Sequence, residues 1–155
     1  MWEGLTCFGY LVHPPKDLYD YKVLSPISFT DNEIEEFEFQ NKYLGMHDVG
    51  IILENYSNEE IFGAMRDLKV YLQINFYIKD KILSSYSIDT YSTDKRKPFL
   101  YKKGESGYVL IGYDCPQNLP RKKTLRCELK IIKADDELRE KYGPVKFYIK
   151  KGSDI

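Results

Sequence analysis

The sequence lacks any long apolar segment, and its longest uninterrupted apolar runs cover only a few residues. About 20 consecutive apolar residues are needed to cross a bilayer, so no transmembrane segment is predicted. The opening stretch MWEGLTCFGYLVHPP also lacks the basic region and the continuous apolar stretch of an intact signal peptide. A removed export signal, with a lipid anchor on the lost N-terminus, would leave the same sequence.

Histidine is also scarce, since only His13 and His47 are present. A serine hydrolase needs a histidine base, and neither G-x-S-x-G nor the zinc motif H-E-x-x-H occurs. Glycine-rich phosphate loops and calcium-loop spacings of carboxylates are absent too. The glutamates of residues 33–38 are too numerous to single out a catalytic pair, and a solvated strand face explains them. We therefore predict a protein that is not an enzyme and has no metal site and no cofactor.

Cysteine is limited to Cys7, Cys115 and Cys127, whose spacing fits no zinc site and contains no C-x-x-C. Cys115 and Cys127 flank a predicted hairpin. On neighbouring strands they could form a disulfide in an oxidising compartment, leaving Cys7 free. Two buried thiols in a cytosolic protein explain the same residues, so both alternatives stay open.

Tyrosine and phenylalanine, by contrast, are abundant, with 14 and 8 copies. Both favour pleated, half-buried surfaces and so favour β-structure. The clearest strand begins the segment LKVYLQINFYIKDKILSSYSID, residues 68–89, because every second residue from Leu68 to Ile78 is apolar. This alternation predicts a central strand with one face on the core, and ILSSYSID is its expected hairpin partner. The other face would carry Lys69, Tyr71, Gln73, Asn75, Tyr77 and Lys79.

Turn signals divide the rest of the chain into further strands. They are predicted over residues 18–24, closed by Ser25 and Pro26, and over 27–39, 49–53, 108–115, 124–132 and 145–151. The expected apolar positions are Ile34, Phe37 and Phe39 in one strand and Val145, Phe147 and Ile149 in the last, where Tyr148 would point outward. Residues 90–107 and 116–123 are predicted to be loops. Short helical turns are expected after Ser57 or Asn58 and after Asp135.

Seven to eight such strands predict one all-β domain over residues 1–155, with an irregular N-terminal segment at 1–16. We expect two antiparallel sheets packed as a β-sandwich of immunoglobulin-like or fibronectin-III-like type. A βαβ arrangement is excluded because no helical segment of adequate length separates consecutive strands.

The passage from YDCPQNLP into TLRCELKII resembles immunoglobulin-like and fibronectin-type-III-like sandwiches. Antibody-type domains are excluded, because their widely spaced cysteine pair and core tryptophan are missing. The stretch from YLGMHDVGIILEN to KYGPVKFYIKKGSD also resembles small uncharacterised bacterial envelope or lipoprotein-type sandwich domains. That resemblance implies an exported, non-catalytic protein in the periplasm or cell envelope, with a cytoplasmic location as the alternative.

Charge is distributed unevenly, although the net charge is −1. Residues 31–60 sum to −8 and residues 79–133 sum to +7. Tyrosine and arginine concentrate binding energy at protein interfaces, so a tyrosine-bearing strand face beside a cationic loop predicts a protein-binding surface. One concrete form is an envelope inhibitor of the immunity type. The predicted binding residues are Tyr71, Tyr77, Tyr86, Tyr91, Arg96, Lys97, Phe99, Tyr101 and Arg121.

Two other ligands use the same residue types. Planar rings stack on sugars, so a carbohydrate-binding module is the alternative, with Tyr71, Tyr77, Tyr86 and Tyr91 as the platform. Nucleic acid would use stacking and phosphate contacts through the basic segments 95–103 and 121–126. The near-neutral total and the acidic first half of the chain oppose that interpretation.

Overall fold

The structure is a computed structural model and describes residues 14–54, 69–91, 98–102, 105–136, 140 and 144–152. Within these residues it has nine strands. They are β1 (Tyr21–Ile27), β2 (Glu33–Phe39), β3 (Gly45–Glu54), β4 (Val70–Ile78), β5 (Lys81–Asp89), β6 (Pro98–Lys102), β7 (Glu105–Cys115), β8 (Leu125–Ala134) and β9 (Val145–Lys151). No helix in this part of the chain is long and apolar enough to span a membrane.

The strands form two antiparallel sheets that enclose one core. The five-stranded sheet has the order β1-β9-β3-β7-β6, and the four-stranded sheet has the order β2-β8-β4-β5. The predicted antiparallel sandwich is confirmed. Its immunoglobulin-like or fibronectin-III-like type is not, because the first two strands of an immunoglobulin fold are neighbours, whereas β1 and β2 lie in different sheets. The chain passes repeatedly from one sheet to the other, in the order typical of a jelly roll, and β6 is an additional strand at one edge of the five-stranded sheet.

The predicted central strand is confirmed as β4, which lies between β5 and β8. Its alternate residues Val70, Leu72, Ile74 and Phe76 are at most 1% exposed. Aromatic side chains join the two sheets across the core, since Phe76 meets the Tyr113 ring at 5.5 Å and Phe37 stacks on Phe147 at 5.1 Å. Burial of such a strand contributes roughly 1.5–3 kcal/mol per large apolar side chain, before the entropy of ordering is subtracted.

Strand β1 extends beyond the position where Ser25 and Pro26 were expected to end it. Proline has no N–H to donate to a ladder, but β1 is the edge of its sheet and pairs only with β9. In β2, Phe37 and Phe39 face the core as expected, whereas Ile34 is 59% exposed. It lies on the outer side with Glu36, since residues two apart on a strand share a face.

The predicted loop over residues 90–107 is partly wrong, because β6 and the start of β7 lie within it and pair with each other. Cationic residues are common in edge strands, so they do not argue against a strand here. The hydrogen bonds between the two main chains make this segment a strand, and no pattern of side chains in the sequence indicates them. The predicted helical turn after Ser57 or Asn58 lies outside the described residues. The same holds for most of the helix predicted after Asp135, although Asp136 is helical.

Tyr148 points away from the core as predicted, but it is fully buried. Its backbone partner on β3 is Gly50. A Cβ atom on Gly50 would lie 2.7 Å from the Tyr148 hydroxyl oxygen, so the ring occupies the space above the glycine. Tyr21 closes the other side with an edge contact at 5.9 Å.

Cys115 and Cys127 are not on neighbouring strands, contrary to expectation. Cys115 ends β7 in the five-stranded sheet, and Cys127 lies in β8 of the four-stranded sheet. The segment between them crosses from one sheet to the other, so it is not a hairpin. Both are buried, and no disulfide joins them in this structure. Burial holds the pKa of Cys127 well above its ordinary value.

Candidate functional site

The outer side of the four-stranded sheet is the surface on which Tyr71 and Tyr77 lie, and we call it the Tyr71–Tyr77 face. Strand pairing defines its members, because residues directly opposite one another in a ladder share a face. They are Ile34, Glu36 and Glu38 of β2, Arg126, Glu128, Lys130 and Lys133 of β8, Tyr71, Gln73, Asn75 and Tyr77 of β4, and Ser85, Ser87 and Asp89 of β5. Tyr77 follows Tyr71 by six residue positions along β4, which is about 20 Å.

Arg126 organises the end of this face that carries Tyr77. Its guanidinium lies 4.3 Å from the centre of the Tyr77 ring and forms a 2.7 Å ion pair with Glu36. The ring and the carboxylate thus hold a side chain that is only one-third exposed. Such fixed arginine and tyrosine side chains lose little conformational entropy when a partner binds.

Glu128 is the centre of a hydrogen-bonded group in the middle of the face. The side-chain amide of Asn75 donates to its Oε1 at 3.2 Å, and the ammonium of Lys130 lies 3.5 Å from the same oxygen. The Tyr77 hydroxyl is at 3.4 Å. Ser85 in turn donates to Oδ1 of Asn75. These contacts connect β8, β4 and β5, so the face presents an ordered polar surface.

The end of the face that carries Tyr71 is acidic. Tyr91 follows β5 there, and its backbone N–H donates to Asp89 at 3.0 Å. Burial, and then the charges of Asp135 and Asp31, raise the pKa of Tyr91. The ammonium of Lys133 lies 4.7 Å from the centre of the Tyr91 ring.

The opposite end of the face opens into a cavity of about 530 Å³, which we call the end pocket. It is lined by Glu38, Ile78, Lys79, Lys123, Thr124, Leu125 and Arg126. Three of these side chains are cationic and one is acidic. The two ends of the Tyr71–Tyr77 face therefore differ in charge, with acids near Tyr91 and cations near Tyr77.

A buried asparagine positions the loop that forms one wall of the end pocket. Asn41 is fully buried and accepts a 2.7 Å hydrogen bond from the Tyr113 hydroxyl. Its side-chain amide donates to the carbonyl of Pro120 at 3.2 Å, and its own carbonyl accepts the N–H of Lys122 at 2.7 Å. The 116–124 loop is thus attached to the core on both sides of Arg121.

The predicted site residues are only partly brought together. Tyr71 and Tyr77 share the face as expected, with Tyr91 beyond its acidic end. Tyr86 does not join them, because it lies on the inner side of β5 and packs against Phe76 at 6.1 Å. Arg121 lies in the loop next to the end pocket, where its guanidinium donates to the Lys42 carbonyl at 3.0 Å.

The predicted basic segments are separated in the structure. Arg96 and Lys97 lie outside the described residues. The backbone of Phe99 and Tyr101 belongs to β6, at the edge of the five-stranded sheet, and not to a loop. Segment 121–126 leads into β8 of the four-stranded sheet. Arg126 is a residue of β8, and its guanidinium forms an ion pair with Glu36.

Glu128 was not singled out from the sequence, and Lys123 and Arg126 were predicted only as part of the basic segment 121–126. Asn75 was assigned to the correct face by the alternation of β4, whereas Lys79 lies beyond the end of β4, in a turn. Glu128 and Arg126 reach the site through the pairing of β8 with β2 and β4, and the sequence gives no signal for that pairing. In the described part of the chain, no three metal-binding side chains lie close enough together to hold an ion.

No family model matches the chain, and no curated protein does either. Two solved structures align with this chain. A protein of Sulfurospirillum deleyianum aligns with a TM-score of 0.54 at 11% identity, over 84% of this chain and 97% of its own. The module CBM27-1 of Caldicellulosiruptor saccharolyticus, solved in complex with mannohexaose, aligns with a TM-score of 0.40 at 10% identity, over 90% of this chain and 88% of its own.

The two similarities do not support the same conclusions. The Sulfurospirillum protein shows a shared β-sandwich fold, and a fold by itself does not carry a function. The TM-score of the second structure is too low to carry an argument. The predicted envelope or lipoprotein type stays a prediction.

Proposed function

We propose that this chain is a non-catalytic binding protein that docks a folded protein partner on the Tyr71–Tyr77 face. The observation that carries the proposal is the Arg126 cluster, in which the guanidinium is fixed between the Tyr77 ring and the Glu36 carboxylate. Tyrosine and arginine supply much of the energy at protein interfaces when their side chains are ordered in advance.

The charges of the face favour a protein over a polyanion. Its cations are Arg126, Lys130 and Lys133, and its acids are Glu36, Glu38, Glu128 and Asp89. Acids and cations are mixed across the face, with one more acid than cations. A nucleic acid would lie against these carboxylates, whereas a protein surface can place a complementary charge opposite each one.

The tyrosine rings are arranged less well for a sugar. Sugars stack on open ring faces, but Arg126 covers one face of Tyr77 and Lys133 lies over the ring of Tyr91. Tyr86, which would complete a platform, is on the other side of the sheet. The carbohydrate-binding alternative thus loses one ring of its four-residue platform and one open face of each of two others.

An inhibitor of the immunity type, exported to the periplasm or cell envelope, is the specific form of this proposal. A flat, rigid face of mixed charge is suited to covering the site of a toxin or enzyme. The buried thiols of Cys115 and Cys127 fit either compartment, because burial shields a thiol from oxidants.

The test compares capture by variants that are changed on opposite sides of the sandwich. Ser87→Arg places a large side chain on the Tyr71–Tyr77 face, at the β5 edge beside Gln73. Leu24→Arg does so on the outer side of the five-stranded sheet, where Leu24 is 44% exposed. We expect proteins retained by the wild type and by Leu24→Arg to be lost with Ser87→Arg. Affinity for an identified partner should also fall in the double variant Tyr71→Ser, Tyr77→Ser.

Three results would contradict the proposal. Equal retention by both arginine variants would place the interface elsewhere. Unchanged affinity in the double serine variant would remove the two tyrosines from it. A change in tyrosine fluorescence on titration with oligosaccharides, abolished by Ser87→Arg, would assign the face to sugars instead.

A further inference from the structure

The end pocket extends the Tyr71–Tyr77 face at its cationic end, and its walls come from three parts of the fold. Lys79 is in the turn between β4 and β5, Lys123 and Thr124 precede β8, and Glu38 is near the end of β2. Ile78, which is partly buried, supplies an apolar wall beneath them. This is the composition of a pocket for a ligand with a charged head and an aliphatic stem.

Two cations of the pocket have no ion-pair partner in the described part of the chain. Lys79 and Lys123 form no ion pair within 4.0 Å among the residues that the structure describes. Arg126 is paired with Glu36 through one nitrogen only, and a guanidinium carries five N–H donors. With Glu38 as the single acid of the lining, the pocket has a net charge of +2.

A neutral donor is also present at the rim. Thr124 accepts a 3.1 Å hydrogen bond from the side-chain amide of Gln40, and its hydroxyl hydrogen stays available for an acceptor. The wall that carries Lys123 and Thr124 is held by the buried hydrogen bonds of Asn41 to Pro120 and Lys122. The positions of the Lys123 and Thr124 donors therefore depend on contacts with the core as well as on the conformation of the loop.

We propose that the end pocket is the subsite that receives a carboxylate side chain of the protein partner, so that the partner presents an acidic segment at this end of the face. The inference rests on the proposed function and specifies the chemistry of the partner. A glutamate fits best, because its methylene groups can contact the partly exposed Ile78 while its carboxylate meets the ammonium groups of Lys79 and Lys123.

The pocket can be tested on the isolated protein with a hexaglutamate peptide, and with hexaglutamine as the neutral control. We expect backbone amide shifts at Lys79, Lys123 and Thr124 on titration with hexaglutamate, and none with hexaglutamine. Raising the salt concentration from about 50 mM to about 500 mM should weaken the binding strongly, since exposed charges are screened.

Two variants remove one cation each. Lys123→Gln keeps the length and polarity of the side chain. Lys79→Gly is suited to its position, because Lys79 has a φ of 52°, a conformation that glycine adopts without strain. Each should weaken hexaglutamate binding about five-fold, the scale of one partly exposed charge contact. The matched control Lys146→Gln removes a cation from β9, on the outer side of the other sheet, and should leave the affinity unchanged.

Other results would overturn the inference. These are the absence of shifts at low salt, equal shifts with hexaglutamine, or an equal loss in all three variants, which would indicate nonspecific attraction. The proposed function can be judged separately. If Ser87→Arg abolishes partner binding while hexaglutamate gives no shifts in the pocket, the face is the interface and the carboxylate subsite is wrong.

Discussion

The hydroxyl of Tyr113 donates a 2.7 Å hydrogen bond to Oδ1 of Asn41, which joins the centre of the core to the loop beside the end pocket. Tyr113 is itself held by a parallel stack on His47 at 5.0 Å. Burial raises the pKa of Tyr113 well above its ordinary value, so the hydroxyl stays protonated and remains a donor. The geometry of the pocket thus depends on a residue that no ligand would touch.

Tyr113→Phe should destabilise the fold by about 1–2 kcal/mol, because a buried oxygen of Asn41 loses its donor while the ring contacts persist. Urea unfolding measures the effect, and amide shifts at Lys122 report whether the loop moves. The control Tyr77→Phe removes a hydroxyl that lies 3.4 Å from Glu128 on the surface of the sheet, and should cost less than about 0.5 kcal/mol. Equal costs would show that the buried bond does not secure the loop.

Gly50→Ala should destabilise the protein by about 2–3 kcal/mol, since overpacking a closely packed site forces the backbone to move. The added Cβ would lie 2.2 Å from the carbonyl oxygen of Tyr108 and 2.7 Å from the hydroxyl of Tyr148. At Gly112 the nearest atom is the flexible Cε of Met46 at 3.3 Å, so Gly112→Ala should change stability by less than about 0.5 kcal/mol. Thermal unfolding of both variants checks the prediction, which fails if the two melting temperatures agree.

Stability should depend on pH through Asp17. The hydrogen bond from Lys42, and then that from Tyr43, lower the pKa of this carboxyl from 3.8 to about 2. A lowered carboxyl pKa means that the stabilising contribution is present above about pH 4 and is lost as the pH falls to about 2. Asp17→Asn should therefore be less stable than the wild type at pH 7, and the difference should vanish near pH 2.

Asp20→Asn is the control for this pH effect, because it removes a nearby exposed charge outside the Asp17–Lys42 contact. Urea unfolding between pH 7 and pH 2 gives the profiles. A constant difference between wild type and Asp17→Asn across that range would contradict the assignment, since it would mean that the carboxylate charge has no part in it.

The thiols of Cys115 and Cys127 should react only after unfolding. Both are at most 1% exposed, and burial keeps Cys127 protonated. In Cys7→Ser protein without reductant, a colorimetric thiol reagent should detect no thiol under native conditions and two in denaturant. Zero thiols in denaturant would mean that a disulfide forms between the sheets, contrary to this structure.

The strands and the faces of their side chains could be predicted wherever apolar residues alternate. From Val70 to Phe76 the alternation assigns both the buried side chains and the outer position of Tyr71, because neighbouring residues on a strand point to opposite sides. The same reasoning failed for Tyr86. The rest of its strand is rich in serine, so a tyrosine could be assigned to either side until its pairing with Ile74 placed it inward.

The pairing of distant strands was beyond the reach of sequence reasoning. Arg126 meets Glu36 because β8 lies between β2 and β4, and the partners are 90 residues apart in sequence. Turn residues and periodicity are local signals, whereas such pairing is decided by the packing of the whole core. The end pocket, whose walls are brought together by this pairing, was for that reason not predicted.

The sequence by itself determined that this protein is an all-β sandwich with a central strand at β4 and tyrosines on its outer side, since backbone geometry converts a period of two into faces. Only the tertiary structure decided that Cys115 and Cys127 belong to different sheets and that a cationic pocket adjoins Tyr77. The chain crosses from one sheet to the other after β7. The physical reason is that such a crossing is decided by the burial of the two sheets against each other, and the residues of the loop do not specify it.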